Sequence, residues 1–568
     1  MKLNHYIIGV FAAMSLASCS DKMDYHEYKV DGADYIKEMF SRTGGLITTI
    51  YQNLDSDFGN YSGAMLSSAT DESAYSHPGN QVEDFYNGAW GPTNAKGSLW
   101  TSCYQGISYC NLFLDEFVGL TFPDYRLDVD YLKEMYQYNN YQWEARWARA
   151  YFYFLLVRQY GDVPLKVHNM DAAEANALPR TSAEEIFKFI DSECEAIKDT
   201  IIKDYNNLGN MAMSMTESGR ANNLAVLALR ARAALYHASP LFNPTNDKEL
   251  WHQAALRAME CINACKARSM NLVSDYMSLF QSDNYKDTKE IIFARRQNGT
   301  STNNNFEKYN FPIGMENAGG GNCPTQNLVD AFEMTNGKAI TDADSGYDPQ
   351  NPYANRDKRL SWIVAVNGEQ WPNANPKPLE LYYGGANAAP ITYASTTGYY
   401  LKKYCNPSTV IGATGANAFY HNWVVFRLAE MYLNLAEAML NYTGSGYATS
   451  DGLPMSAAAA LNVVRTRAGQ PNIEEGLSAA AFKQKVENER FVELAFEGHR
   501  FYDVRRWKEA PQYLTNIRKM DIRLNADSTF TYTPGKLEQR QWDDKMYFFP
   551  IPQSEIQKAG SLTQNPGW

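Results

Sequence analysis

Acidic and basic residues that could do chemistry are concentrated in Asn488–Trp507, NERFVELAFEGHRFYDVRRW. This stretch interleaves apolar residues with four carboxylates and four guanidinium groups, which are Glu489, Glu493, Glu497, Asp503, Arg490, Arg500, Arg505 and Arg506. Paired carboxylates can act as general acid and general base when their environments hold their pKa values apart. Acids that alternate with arginines can instead form a buried ion cluster that stabilises the fold.

The balance of charge in this stretch favours the ion cluster. Glu489, Glu493 and Glu497 have i, i+4, i+8 spacing, which places them on one face of the predicted helix Ser478–His499, where like charges repel. Two further arginines lie in VRTRAG, just before that helix. Six nearby arginines lower carboxylate pKa values, whereas a general acid needs a raised one. The stretch therefore predicts a structural ion cluster, with catalysis as the alternative.

Motifs of other common active sites are missing from the sequence. It contains no His-Glu-x-x-His, Gly-x-Ser-x-Gly, Gly-x-Gly-x-x-Gly or P-loop pattern. Glu497-Gly-His499 does not have the Glu-x-x-His spacing of a dimetal carboxylate site. Asp342, Asp344 and Asp348 resemble a calcium loop faintly, but the loop-closing Glu is missing. We therefore expect an Asx-rich turn there, with a structural Ca2+ as the alternative, and no other cofactor or metal.

The composition of the whole chain narrows the range of partners. The chain has 568 residues and a formal net charge of −12, and a negative field repels phosphate backbones. Nucleic acid is therefore not an expected partner. The chain has eight cysteines, and seven remain if Cys19 is modified. Seven is an odd number, so they cannot all form disulfides within the chain, and their spacing fits no zinc motif. We interpret these seven as small buried hydrophobic residues.

The N-terminal residues have the pattern of a bacterial lipoprotein signal. Lys2 precedes the apolar run Tyr6–Ser15, which is too short to span a bilayer, and LASC (Leu16–Cys19) resembles a lipobox. We predict a signal peptide of residues 1–18 and lipidation of Cys19, with an ordinary secretory signal as the alternative. The acidic tract after the cysteine resembles the sorting signals of Bacteroidetes surface lipoproteins. The expected location is the outer membrane, lipid-anchored and exposed at the cell surface.

Two parts of the mature chain differ in composition. Apolar residues at helical spacing recur over about 30–270 and 422–568, as in Ser98–Phe117 and Thr181–Ile201. Three of these helices repeat Ala beside Arg and a large aromatic residue, which favours the close helix packing of tetratricopeptide-like pairs. Residues from about 271 to 421 are rich in Gly, Asn, Pro and Tyr. We predict a mainly α-helical scaffold with a loop-rich insertion.

Segments along the whole chain resemble the SusD/RagB family of Bacteroidetes surface lipoproteins. In chain order they include SSATDES (Ser67–Ser73), EARWARAYFYFLLVRQYGDVPL (Glu144–Leu165), FRLAEMYLNLAEA (Phe426–Ala438), LNVVRTRAG (Leu461–Gly469) and the charged stretch Asn488–Trp507. RDKRL departs from the family pattern, since a proline is common in place of Lys358. Residues 19–568 are identified in this way as one SusD-like domain.

The resemblance implies a non-catalytic protein with four tetratricopeptide-like helix pairs and a variable loop-rich part. It further implies that the protein captures oligosaccharides outside the cell and delivers them to a SusC-like TonB-dependent outer-membrane transporter. A peptide-binding or scaffolding member of the same type of uptake complex is the alternative. An enzyme such as a glycoside hydrolase is the third and least favoured hypothesis.

A glycan ligand predicts an aromatic platform on the loops, because the flat ring of Trp or Tyr matches the C–H face of a sugar. The loop Ala74–Gly97 and the loop-rich part supply the candidate ligand-binding residues. They are Trp90, Trp371, Tyr86, Tyr75, Tyr309, Asn87 and Phe311. Trp90 is the first choice and Trp371 the second, while packing against the scaffold is the alternative for each ring. Trp100 differs, since its helical spacing with apolar neighbours predicts a core position.

Overall fold

The computed structural model describes residues 33–212, 219–281, 289–296, 305–412, 417 and 419–568, so Cys19 and the predicted signal lie outside the described residues. The described part is mainly helical, which confirms the predicted fold class. Its α-helices are α1 (Ala33–Lys37), α2 (Phe40–Gln52), α3 (Trp100–Glu116), α4 (Tyr131–Tyr160), α5 (Ala172–Ala177), α6 (Ala183–Ile197), α7 (Asn223–Ala238), α8 (Lys248–Ala267), α9 (Asn305–Asn310), α10 (Gln326–Ala331), α11 (Lys358–Ile363), α12 (Leu428–Thr443), α13 (Ala457–Ala468), α14 (Ala479–Glu493), α15 (Arg500–Arg506), α16 (Ala510–Leu514) and α17 (Gln553–Lys558).

Strands are short and form antiparallel pairs wherever the structure describes them. The pairs are β1 (Ser73–Tyr75) with β5 (Asn322–Pro324), β2 (Val163–Pro164) with β3 (Arg180–Thr181), β4 (Ile291–Arg295) with β8 (Trp423–Arg427), β6 (Val364–Ala365) with β7 (Tyr400–Leu401), and β9 (Asn516–Leu524) with β10 (Phe530–Gln539). In the first pair Tyr75 lies opposite Asn322. The β9–β10 hairpin was not expected from the sequence, which predicted a helical scaffold over that region.

Local signals place the long helices where the sequence predicts them. Ser182 and Glu185 form a capping box at the start of α6, which satisfies backbone N–H groups that have no helical partner. Helix α4 ends at Gly161 and α12 ends at Gly444, both at positive φ, a conformation that glycine adopts at little cost. No helix in the described part of the chain is long and apolar enough to cross a membrane.

The long helices pack against one another as a continuous chain. Helix α4 contacts α3 and α6, α7 contacts α6 and α8, and α12 contacts α8, α13 and α14. Gly106 allows α3 to approach α4 closely, because a Cβ atom there would lie 2.4 Å from the ring of Phe152. Apolar side chains of the loop-rich part, such as Leu360 and Tyr399, belong to the same hydrophobic core. The tetratricopeptide-like pairing itself stays a prediction.

Helix α14 is shorter than the predicted helix Ser478–His499. It ends at Glu493, and Phe496 has a φ of +62°. The backbone N–H of Phe496 donates to Glu72 Oε1 at 3.1 Å rather than to a carbonyl of the helix. Glu497 therefore lies beyond the helix, and the prediction of three glutamates on one helical face was wrong at this position.

The cysteines behave as predicted. All seven that the structure describes are buried and have free thiols. Burial raises the pKa of Cys103, Cys110 and Cys194 well above the usual value, so these thiols stay protonated and unreactive. They act as small apolar groups in the helix packing.

Candidate functional site

The carboxylates of Asn488–Trp507 belong to a buried ion network that reaches distant parts of the chain. Glu493 accepts hydrogen bonds from Arg427 Nη1 at 2.7 Å and Arg359 Nη1 at 2.9 Å, and it also pairs with Arg467. Other ion pairs of the network are Arg359–Glu489 at 2.6 Å, Arg465–Glu489 at 3.0 Å, Arg427–Glu497 at 2.7 Å, Lys403–Glu497 at 2.7 Å, Arg427–Glu290 at 2.9 Å, Arg490–Asp503 at 3.1 Å and Arg506–Asp503 at 2.9 Å.

The electrostatics of this network disfavour acid–base chemistry. Burial alone raises the pKa of Glu493, but Arg467, Arg427 and Arg359 outweigh it and hold the pKa well below its usual value. Burial also raises the pKa of Asp503, but Arg490 and Arg506 outweigh it, so this pKa is lowered as well. These two carboxylates are permanently ionised and paired, so neither can donate a proton at neutral pH. The geometry agrees with the predicted structural cluster and not with the catalytic alternative.

The network extends to the early segment SSATDES. Arg500 donates to both carboxylate oxygens of Asp71, at 2.8 and 2.7 Å, and both side chains are buried. Glu72 follows directly and accepts the Phe496 N–H described above. The pKa of Glu72 is raised to about 8, mainly by burial and also by Asp71, while the hydrogen bond from Phe496 N–H and the charges of Arg500 and Lys403 act in the opposite direction. Glu72 is therefore mostly protonated in the folded protein at neutral pH.

We expect Glu72→Gln to stabilise the protein at alkaline pH. The unfolded chain releases the Glu72 proton near its ordinary pKa and the folded protein near 8, so wild-type stability falls as pH rises between these values. Glutamine keeps the acceptor for Phe496 and carries no charge. Thermal and urea unfolding should show a gain of about 2 kcal/mol at pH 9 and no gain at pH 4.

The matched control is Asp71→Asn, which breaks the ion pair with Arg500 and should lower stability at pH 9. Equal destabilisation by Glu72→Gln at both pH values would contradict a buried, protonated Glu72.

Four of the predicted ligand-binding rings are in the core, which corrects the first two choices; they are Trp90, Trp371, Phe311 and Tyr75, the last of which is 9% exposed. Trp90 is 4% exposed and lies 4.8 Å from Phe549 and 5.3 Å from Trp568, measured between ring centroids. Trp371 is 5% exposed and packs edge-on against the fully buried Phe311 at 5.2 Å. Trp90, Trp371 and Phe311 cannot offer a face to a sugar, because each is at most 5% exposed.

The other predicted residues are distributed over two places. Tyr86 is half-buried under Arg540, whose guanidinium carbon lies 4.2 Å from the ring centroid. Asn87 is exposed, and its side chain accepts a hydrogen bond from Ala89 N at 2.9 Å. Tyr75 and Tyr309 come together elsewhere, on either side of Gly63. Trp100 is buried, as its helical spacing predicts.

An aromatic patch forms where the buried Tyr75 meets the exposed Tyr309. We define it as Tyr75, His77, Tyr309 and Tyr393. The rings of His77 and Tyr393 stack at 4.0 Å between centroids with 9° between their planes, and His77 lies 5.1 Å from Tyr75. Tyr309 is 42% exposed and Tyr393 is 48% exposed. The patch therefore presents the rings of Tyr309 and Tyr393 to solvent, and one face of Tyr393 is covered by His77.

Glycine residues hold the segments of the patch close together. A Cβ atom on Gly320 would lie 2.3 Å from the backbone oxygen of Tyr393, and one on Gly321 would lie 2.0 Å from that of Tyr309. The two glycines have positive φ, and the preceding Gly319 donates its N–H to Lys308 O at 2.7 Å. No larger residue fits at these two positions without moving a ring-bearing loop. The sequence did not predict His77 and Tyr393, because their stacking depends on these close approaches.

Chemically, the patch suits the apolar face of a cyclic ligand. Exposed Tyr rings offer flat C–H-binding surfaces, while their hydroxyl groups reach a polar rim. Tyr75 OH donates to Ser62 O at 3.4 Å, and Asn80 Nδ2 donates to the same oxygen at 3.3 Å. Ser62 is exposed and Asn80 half-buried, so short polar groups border the rings. An apolar bed with a few polar groups is typical of sites that bind small molecules and sugars.

The acidic loop that resembles a calcium site uses its side chains for local structure. Asp342 accepts from Ala339 N and Asp348 accepts from Gln350 N, each at 2.9 Å, while Asp344 pairs with Lys338. Over the residues that the structure describes, no group of three or more His, Cys, Asp or Glu side chains is placed to hold a metal ion. The Asx-rich turn is thus the arrangement seen.

Comparison with known proteins identifies the family. The SusD family model matches residues 289–568, and a second model, described as starch-binding associating with outer membrane, matches residues 21–235. The chain belongs to the SusD/RagB family. Proteins of this family are non-catalytic, and so is this chain.

Individual relatives of this SusD/RagB protein match along most of their length. SusD-like protein P2 of Formosa agariphila is 24% identical over 440 residues, which cover 75% of this chain and 73% of that protein. Starch-binding protein SusD of Bacteroides thetaiotaomicron is 23% identical over 530 residues, or 88% and 84% of the two chains. A SusD-like protein from Bacteroides fragilis NCTC 9343 has a similar structure, with a TM-score of 0.75 at 25% identity, covering 94% of this chain and 99% of that one.

Proposed function

We propose that this SusD/RagB protein is a lipoprotein of the outer membrane that captures oligosaccharides at the cell surface and delivers them to a SusC-like TonB-dependent transporter. The observation that carries the proposal is the aromatic patch, in which Tyr309 and Tyr393 are exposed and Tyr393 stacks on His77. The starch-binding names of a matched family model and of a relative support a glycan as the ligand.

The patch replaces Trp90 and Trp371 as the proposed glycan site. Tyr309 and Tyr393 provide ring faces for sugar C–H groups, and Tyr75 and His77 hold the patch from below. When a sugar ring stacks on a tyrosine, water is displaced from the sugar face and from the tyrosine ring, and this burial of apolar surface favours binding. Specificity for one glycan would come from polar groups at the rim, including Asn80.

Removing the exposed rings should weaken glycan binding and leave the fold intact. We expect Tyr309→Ala and Tyr393→Ala each to reduce affinity by about 1–3 kcal/mol, as for central aromatic contacts in other interfaces. The measurement is calorimetry with the best ligand from a screen of starch-type and other oligosaccharides. Tyr136→Ala is the matched control, because Tyr136 is also 42% exposed but lies on the scaffold helix α4.

Full affinity in both patch variants would place the site elsewhere on the protein. A peptide-binding or scaffolding role is the second candidate function. It would be favoured if a peptide panel yields a ligand whose affinity depends on the patch while no oligosaccharide in the screen binds.

The anchor is proposed at Cys19, outside the described residues. We expect Cys19→Ala to abolish labelling with palmitate and to release the protein from the outer-membrane fraction, because the acyl chains of a lipoprotein supply its membrane affinity. A variant that still labels and still fractionates with the outer membrane would contradict lipidation at this position. Protease treatment of intact cells tests surface exposure in the same experiment.

The transporter partner is tested by crosslinking in outer membranes. We expect a TonB-dependent β-barrel protein to be crosslinked to the wild-type chain. Loss of that transporter should leave surface binding of the glycan unchanged and stop its uptake. Uptake that continues without the transporter would contradict the delivery step.

A further inference from the structure

A second cavity lies on the helical scaffold, apart from the aromatic patch. It has a volume of about 330 Å³ and is bordered by α3, by the β2 strand with the residues after it, by α5 and by α17. Its apolar wall includes Trp100 and Tyr104 of α3, Pro164 of β2 and Leu562 after α17. Tyr104 OH donates to Pro164 O at 2.8 Å, which fixes this wall. A cavity of this size accommodates a ligand with a single ring.

One buried cation lines this cavity. The side chain of Lys166 is buried, and its Nζ donates to Ser108 Oγ at 3.2 Å, where Ser108 also lines the cavity. An ammonium group has three donors, and this hydrogen bond uses one of them. Among the described residues no carboxylate forms an ion pair with Lys166.

Lys166 differs in this respect from the cations that contact Glu493 and Glu497. Arg356 and Arg505 are also buried without a carboxylate partner among the described residues, but they donate to backbone carbonyls. The lysine and arginines of the ion network that contact Glu493 and Glu497 are each paired with a carboxylate. Lys166 is not, and burial lowers its pKa from the usual value. An unpaired buried charge is costly, and a ligand anion that enters the cavity would remove that cost.

We propose that this cavity is a second binding site, for a small organic carboxylate with a ring-sized apolar or sugar body. The carboxylate would pair with Lys166, and the ring would lie against Tyr104. Lys558, at the rim, is already paired with Glu555 at 2.7 Å and is not needed for the ligand. This site is independent of the proposed glycan site at the aromatic patch.

Calorimetry with the purified full chain tests the proposal. Benzoate and glucuronate are the two carboxylate probes, and benzyl alcohol and glucose are their uncharged counterparts of similar shape. We expect saturable binding of at least one carboxylate, at least about tenfold tighter than its uncharged counterpart, since a charge-assisted hydrogen bond contributes this much. Tighter binding of benzoate would indicate that the natural ligand is an aromatic acid, and tighter binding of glucuronate would indicate an acidic sugar.

Variants separate binding from stability. Lys166→Met should weaken carboxylate binding by about tenfold, whereas Lys558→Met should change it by less than about twofold. Thr101 lies at the exposed rim, and Thr101→Trp should abolish binding because the indole fills the cavity. This variant replaces Lys166→Met in the test if Lys166→Met does not fold. Tyr393→Ala should bind the carboxylate normally. Failure of both carboxylates to bind, or equal affinity in folded Lys166→Met and Thr101→Trp proteins, would overturn the proposal.

Discussion

Replacing Arg427 with methionine is expected to destabilise the folded protein by about 3–5 kcal/mol, because buried carboxylates would lose a partner. Arg427 contacts Glu290, Glu493 and Glu497, and all four side chains are almost fully buried. Methionine restores part of the volume but none of the five guanidinium donors. Glu493 would keep Arg359 and Arg467, and Glu497 would keep Lys403, but both carboxylates would lose the donors of Arg427.

Urea unfolding followed by circular dichroism measures this loss of stability. Lys188→Met is the control, because Lys188 forms an exposed ion pair with Glu184 and should leave the unfolding midpoint unchanged. The double variant Arg427→Met/Glu497→Gln should be less destabilised than the sum of its single variants, since it leaves fewer unpaired charges. An unchanged midpoint in Arg427→Met would show that the ion network does not stabilise the fold.

Trp90→Ala is expected to cost about 3–5 kcal/mol of stability, as other deletions of large buried aromatic residues do. The indole fills a space between Phe85, Phe549 and Trp568, and its Nε1 donates to Lys96 O at 3.1 Å. Removal leaves a cavity and an unpaired carbonyl. Molecules that stay folded should bind glycan normally, because the ring has no exposed face.

Thermal unfolding and calorimetry on the same Trp90→Ala preparation decide between the two roles of this residue. Trp90→Phe is the matched variant, since it keeps a ring in the cavity and should recover part of the stability. An unchanged melting temperature together with lost glycan affinity would return Trp90 to the binding site that the sequence predicted.

The long helices could be predicted because their signals are local. Ser98–Phe117 and Thr181–Ile201 agree with α3 and α6 to within a few residues, since periodicity and capping residues lie inside each segment. The end of α14 could not be predicted in the same way. It depends on Glu72, which accepts the Phe496 N–H from 424 positions away in the sequence.

Burial of the aromatic residues in the loops is decided by distant segments. Nothing near Trp90 in the sequence shows that Phe549 and Trp568 cover it. Tyr309 was predicted and is exposed, whereas His77 and Tyr393 were missed, because the patch joins helix α9 to two segments that are distant from it in the sequence. Composition predicted aromatic candidates on loops, whereas Tyr75 lies in β1 and Tyr309 in α9, and it could not tell which rings face the solvent.

The link between Asp71 and Arg500 has a consequence for the order of folding. The two residues are 429 positions apart, and contacts of this kind are rare early in folding because closing so long a loop costs chain entropy. During synthesis the Asp71 carboxylate has no arginine from this pair until residue 500 has emerged. We therefore infer that the helices of the first half condense before the early Thr-Asp-Glu turn reaches its native environment. The turn Thr70–Glu72 would then reach its final conformation only when Arg500 of α15 pairs with Asp71.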